Sequence, residues 1–183
     1  MVWGWIIGIV AVLIVIIVFV YYNRFAVLAN RIANSLSQID VQLKRRADLI
    51  PNLIETVKGY AKHEKEIMTS VNEARKALVS AKGTEAKIKA DQKLEGVLGR
   101  LFAIAENYPD LKANTNFLEM QRELTATEDR VAYARQFYND SILSYNNLCT
   151  TFPGIMFAKM FNRKEKEFIK IAPAERELVK VKF

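Results

Sequence analysis

No aspartate, glutamate, lysine or arginine occurs before Arg24, and from Val2 to Tyr22 the chain is apolar apart from tyrosine hydroxyls. A stretch of this length rich in Ile, Val and Leu suits a hydrocarbon environment, where charge is costly. Trp3 and Trp5 stand at one end and Tyr21 and Tyr22 at the other. At a helical rise of ~1.5 Å per residue the two aromatic pairs lie ~25–30 Å apart, the separation of two interfacial belts. A cleaved leader would carry a positive n-region before the apolar core and a small-residue cleavage site after it. Neither is present, so residues 1–23 are read as a transmembrane anchor.

Orientation follows from the flanks. Arg24, Arg31, Lys44, Arg45 and Arg46 follow the span, and Asp40 is the first acid. The excess of cations places this side in the cytoplasm and the N-terminus outside. The chain is expected to cross the membrane once.

Beyond the span the apolar spacing is helical. Leu36, Ile39, Leu43, Arg46, Ile50, Leu53, Val57 and Tyr60 alternate in steps of three and four. The register passes Pro51 without a phase change, which favours a kinked helix, although a break capped by Asp48 stays open. The pattern continues through Ile67, Val71, Ala74 and Leu78 to a stop at Lys82 and Gly83. A second helix spans about 85–107, with Ile88, Leu94, Val97, Leu98, Leu101, Phe102 and Ala105 inward. A turn at Tyr108, Pro109 and Asp110 follows. The last long helix runs from Asn114 or Thr115 to about Leu148, with Phe117, Gln121, Leu124, Glu128, Val131, Arg135, Tyr138, Ile142 and Tyr145 on its seam. Short connections force antiparallel neighbours. The fold class is therefore all-α: an N-terminal transmembrane helix followed by an antiparallel, up-and-down bundle of long helices over 24–150.

Residues 151–183 form a short amphipathic segment and a loosely ordered tail from Ala172. Ile155, Met156, Phe157, Met160 and Phe161 crowd this segment, with Arg163, Lys164 and Lys166 behind. Two readings stand: a peripheral membrane contact through Ile155, Phe157, Met160 and Phe161, or a short helix capping the bundle core.

The sequence offers little for catalysis. His63 is the only histidine and Cys149 the only cysteine. His63-Glu64 would begin a zinc-protease helix only with a second histidine at 67, where Ile67 stands. No glycine-rich phosphate loop follows a strand. No enzyme, cofactor or metal site is expected. The formal charge of +7 is interleaved with acids on every helix, which disfavours nucleic acid, and no small-molecule substrate is indicated. The polar seam residues Arg46, Glu128 and Arg135 ask for partners, because a buried unpaired charge is strongly destabilising. Either Glu128 pairs with Arg46 or Arg135 across the bundle, or these side chains snorkel at its edge.

The run from Ile39 to Glu64, IDVQLKRRADLIPNLIETVKGYAKHE, resembles the signature of the LemA family of bacterial membrane proteins. So do AENYPDLKANTNF (105–117), QRELTATEDRVAYARQFYND (121–140), the following SYNNL, Phe152-Pro153 and the terminal VKVKF. The resemblance implies one N-terminal span with a short outward N-terminus, a cytoplasmic antiparallel bundle, no established enzymatic activity, and a scaffold or accessory role. Some relatives look like lipoproteins with an N-terminal cysteine; none precedes Cys149 here. The family's signature polar positions correspond to Asp40, Arg45, Arg46, Asp48, Asn52, Glu55, Tyr60, Asn107, Tyr108, Asn114, Glu128, Arg135, Tyr138, Asn139 and Tyr145. Of these, Asp40, Arg45, Arg46, Asp48, Asn52, Glu55, Glu128 and Arg135 are candidates for a polar core or interaction face, and Asn107, Tyr108, Pro109 and Asp110 for an exposed interaction turn. The expected partners are the lipid bilayer and a membrane protein or further copies of the chain. The alternative role is a membrane-surface organiser binding anionic lipid through the basic bundle and the 155–161 segment.

Overall fold

A computed structural model describes residues 2–61 and 63–169. Six helices occur among them: α1 (Val2–Tyr60), α2 (Lys65–Ser80), α3 (Thr84–Ala105), α4 (Pro109–Lys112), α5 (Thr115–Thr150) and α6 (Gly154–Met160). The expectation for Ala172–Phe183 lies outside the described residues. The chain divides into two compact units: Met1–Ser35 with Gln136–Phe183, and Leu36–Arg135. Both α1 and α5 contribute to each.

In the second unit, α1 meets α2 near Ala47, whose carbonyl accepts the Arg75 Nε hydrogen at 2.8 Å. It meets α3 through Asp40 and Lys87 at 2.8 Å, and α5 through Arg45 and Glu123 at 2.8 Å. Near its end the Asn114 amide donates to the Tyr60 hydroxyl at 2.9 Å. The pairings descend along α2 and α5 and ascend along α3 as α1 ascends, an up-down-up-down four-helix bundle. Ile39, Leu43, Ile50, Leu53, Val57, Val71, Leu94, Leu98, Leu101, Phe117, Leu124 and Val131 fill its core.

α1 runs unbroken through Pro51. Asp48 is no cap; its carboxylate pairs with Lys44 at 2.9 Å on the surface. The reversal that the sequence reading placed at Gly83 is preceded by another, between Tyr60 and Lys65. Periodicity hides it because Val57, Ala61, Ile67, Met68 and Val71 are all buried in one core, so the apolar phase continues while the chain turns back. Gly83 is the second reversal, at φ 83°, ψ 155°, a conformation essentially confined to glycine. Asn114 caps α5, its side-chain oxygen accepting the Phe117 N–H at 3.0 Å.

In the first unit, the apolar part of α1 has a window of mean hydropathy 3.0 with no buried residue, long and apolar enough to cross a membrane. Trp3 and Trp5 are 78% and 76% exposed. Past Tyr21 the helix acquires neighbours. Phe25 and Ile32 pack with Ile142, Tyr145, Leu148, Cys149 and Ala158, and Arg31 lies 4.7 Å over the Phe137 ring. α5 is antiparallel to α1 here as well.

Candidate functional site

The least expected side chain in the bundle core is Arg46, the largest fully buried one among the described residues. Its place in the series Leu43, Arg46, Ile50 on α1 leaves it no route to water. The guanidinium donates from Nη1 to the Asp91 carboxylate of α3 at 3.0 Å and from Nη2 to Glu128 of α5 at 3.4 Å. Asp91 is 5% exposed, whereas the Glu128 side chain is 48% exposed. Arg135 acts electrostatically on Asp91, and Glu95 shares a hydrogen bond with Glu128. Three carboxyls thus share two guanidinium groups where three helices meet.

Burial pushes the Asp91 carboxyl above its ordinary value, outweighing the opposing pull of Arg46. Burial also raises Glu95, helped by the neighbouring Glu128 charge. The sign of the resulting pH dependence is fixed. A carboxyl raised in the folded state binds more protons there than in the unfolded chain, so stability falls as pH rises from the ordinary value through the raised one. Acidification from neutrality towards pH ~4 should therefore favour the wild type over Asp91→Asn, seen as a flatter dependence of Tm on pH in the variant.

Of the other polar residues singled out in the sequence, Asp40, Arg45, Asp48 and Glu55 make surface ion pairs, with Lys87, Glu123, Lys44 and Lys58 respectively. Such pairs are worth ~0–1 kcal/mol each. Asn52 is exposed. None of these five joins the Arg46 cluster. Asp91 was missed, although Ile88, Asp91, Leu94 and Leu98 lie in one three-and-four series that puts it on the buried stripe. In the turn, Asn107, Pro109 and Asp110 are exposed. Tyr108 is half-buried and donates to Glu64 at 2.8 Å. His63 is exposed.

The first unit has a foot made by α6. Phe157 stacks on Tyr21 with centroids 4.4 Å apart, and Phe161 meets Tyr22 and Phe25 edge-on at 5.5 and 6.2 Å. Ile155 is half-buried and Met160 is exposed. α6 can approach the end of α5 only through Gly154, where a methyl would overlap the Leu148 carbonyl oxygen. After α6 the chain returns along α5 as an extended strap. Asn146 accepts the Lys166 N–H at 2.8 Å and donates to the Lys166 carbonyl at 2.9 Å. Asn139 grips Ile169 in the same way, at 3.0 and 3.2 Å.

The family model described as the LemA family matches residues 35–183. The chain belongs to the LemA family. Its match starts after the apolar part of α1, so that helix's length and apolarity are an observation separate from the family assignment. Among curated relatives, this LemA-family chain is similar to magnetosome protein MamQ of Magnetospirillum gryphiswaldense, 27% identical across 84% of this chain and 66% of that protein. Magnetosome protein MamQ 1 of Paramagnetospirillum magneticum is 26% identical over the same shares. Protein LemA of Metamycoplasma hominis is 28% identical across 73% of this chain and 63% of its own length. The chain thus spans slightly less than two thirds of the curated relatives it matches.

Proposed function

We propose that this protein is a single-pass component of a bacterial inner membrane, anchored by residues 2–22, with its four-helix bundle on the cytoplasmic side. There the bundle acts without catalysis as a scaffold or accessory element for other membrane proteins or for copies of itself. The observation that carries this reading is the apolar α1 segment with no buried residue in its window, followed by cations from Arg24 onward. The most deeply buried ionisable groups support a structural role, because Arg46 and Asp91 are engaged with each other. The turn at Asn107, Pro109 and Asp110 offers exposed residues where two long helices meet, a usual place for recognition.

A photo-crosslinking residue placed at Asn107 or Asp110 in native membranes tests the proposal. The expected result is a discrete adduct with one membrane protein or a ladder of the chain itself. Adducts with lipid alone at both positions would overturn the scaffold reading. Protease digestion of inverted vesicles, cutting the bundle only when the cytoplasmic face is outward, checks the orientation.

A further inference from the structure

α6 has three faces. Gly154 and Ala158 are buried, and Phe157 and Phe161 lie on Tyr21, Tyr22 and Phe25. The third carries Met156 and Met160, four apart and 60% and 56% exposed, and Phe152, 81% exposed, lies in the turn just before the helix. Three large apolar side chains facing water on so short a stretch are costly unless something covers them. Cations accompany them: Lys159 and Lys164 are exposed, and Arg24 is exposed immediately before the buried Phe25.

We infer that this face of α6 is an interfacial foot, whose Phe152, Met156 and Met160 enter the headgroup–acyl boundary of the same leaflet from which α1 emerges, with Lys159, Lys164 and Arg24 on anionic phosphates. The inference rests on reading residues 2–22 as a span. Continuity argues for lipid as the occupant. The rings that α6 rests on, Tyr21 and Tyr22, close the apolar run, and a stack of 4.4 Å fixes α6 at the depth where the helix leaves hydrocarbon. A helix held there with an apolar row outward and cations beside it has the amphipathic character of an in-plane membrane segment. The charge sign matches anionic lipid, which attracts cations close to the surface. Tyr21 and Tyr22 thereby have two roles, as aromatic-belt residues and as the seat of the foot.

Spin labels on the full chain, reconstituted in phosphatidylcholine–phosphatidylglycerol liposomes, decide this. In a Cys149→Ala background, labels are placed singly through Met156→Cys and Met160→Cys. Val12→Cys reports on the span, and Asp140→Cys on the exposed side of α5. Each protein must retain the wild-type helical circular dichroism. Collision with oxygen relative to a water-soluble nickel chelate reads depth. The expected result is oxygen-dominated collision at 156 and 160, shallower than at 12, with nickel dominating at 140. Nickel-dominated collision at 156 and 160 while 12 remains in hydrocarbon overturns the foot and leaves the span standing. Nickel dominance at 12 as well overturns the span reading itself. Shielding of 156 and 160 from both reagents means that protein covers the face, and likewise overturns the lipid assignment.

Discussion

Asp91→Ala should cost the four-helix unit about 3–5 kcal/mol, because it removes the buried partner of a guanidinium that cannot lose its proton. The one ion pair left to Arg46 among those described would be Glu128, 3.4 Å away and on a side chain 48% exposed. Urea or thermal unfolding of the full chain in detergent micelles, followed by circular dichroism, measures the loss. The paired replacement Arg46→Met with Asp91→Leu should recover most of it, since apolar residues of similar bulk avoid the desolvation that the ion pair suffers. If the double variant were as unstable as Asp91→Ala, the cluster would contribute net stability rather than registry. The Arg46 Nε atom, buried without a partner, points the same way: even the native arrangement leaves one donor unsatisfied.

The second large effect is expected at Phe25. Its ring is wholly buried and meets Tyr145 and Phe161 edge-on, at 5.8 and 6.2 Å. Phe25→Ala should remove about 3–5 kcal/mol of packing from the first unit, while Val27→Ala, at a position 65% exposed, should change stability by less than about 0.5 kcal/mol. Limited proteolysis near Phe161–Lys164 reads the difference directly. The foot should be cut rapidly in Phe25→Ala and slowly in Val27→Ala. Equal rates would mean that α6 is held by Tyr21 and Gly154 alone.

The helices themselves were legible because burial follows a period of three and four. Ile39, Leu43, Ile50, Leu53 and Val57 all lie where the spacing puts them, as do Phe117, Leu124, Val131, Ile142 and Tyr145. Tyr60, read as part of the seam, ends 43% exposed because α1 stops there and its hydroxyl serves Asn114. The turn after Tyr60 escaped detection for the opposite reason: one core on both sides preserves the phase. Of the polar cluster, Arg46 and Glu128 could be singled out as charges in an apolar series. Asp91 could not be matched to them, since periodicity ranks faces of a helix but does not say which faces meet. The strap over α5 left still less trace. Its recognition passes through carboxamides and main chain, and asparagine in a helix is ordinarily just a weak helix former.

Those two carboxamides have a consequence for what the chain tolerates. Asn139 and Asn146 are seven residues apart, about 10 Å along a helix, and Lys166 and Ile169 are three apart, about 10 Å along an extended chain. The two rulers agree, so through these two asparagines α5 measures the strap in peptide units, while the Lys166 ammonium, 5.6 Å from the centre of the Tyr145 ring, adds a side-chain contact. Residues 166–169 are therefore free to drift in sequence as far as these four hydrogen bonds are concerned, with one exclusion. Proline at 166 or 169 would delete the N–H being gripped, whereas a single-residue insertion between them would throw the second clasp out of step with the first.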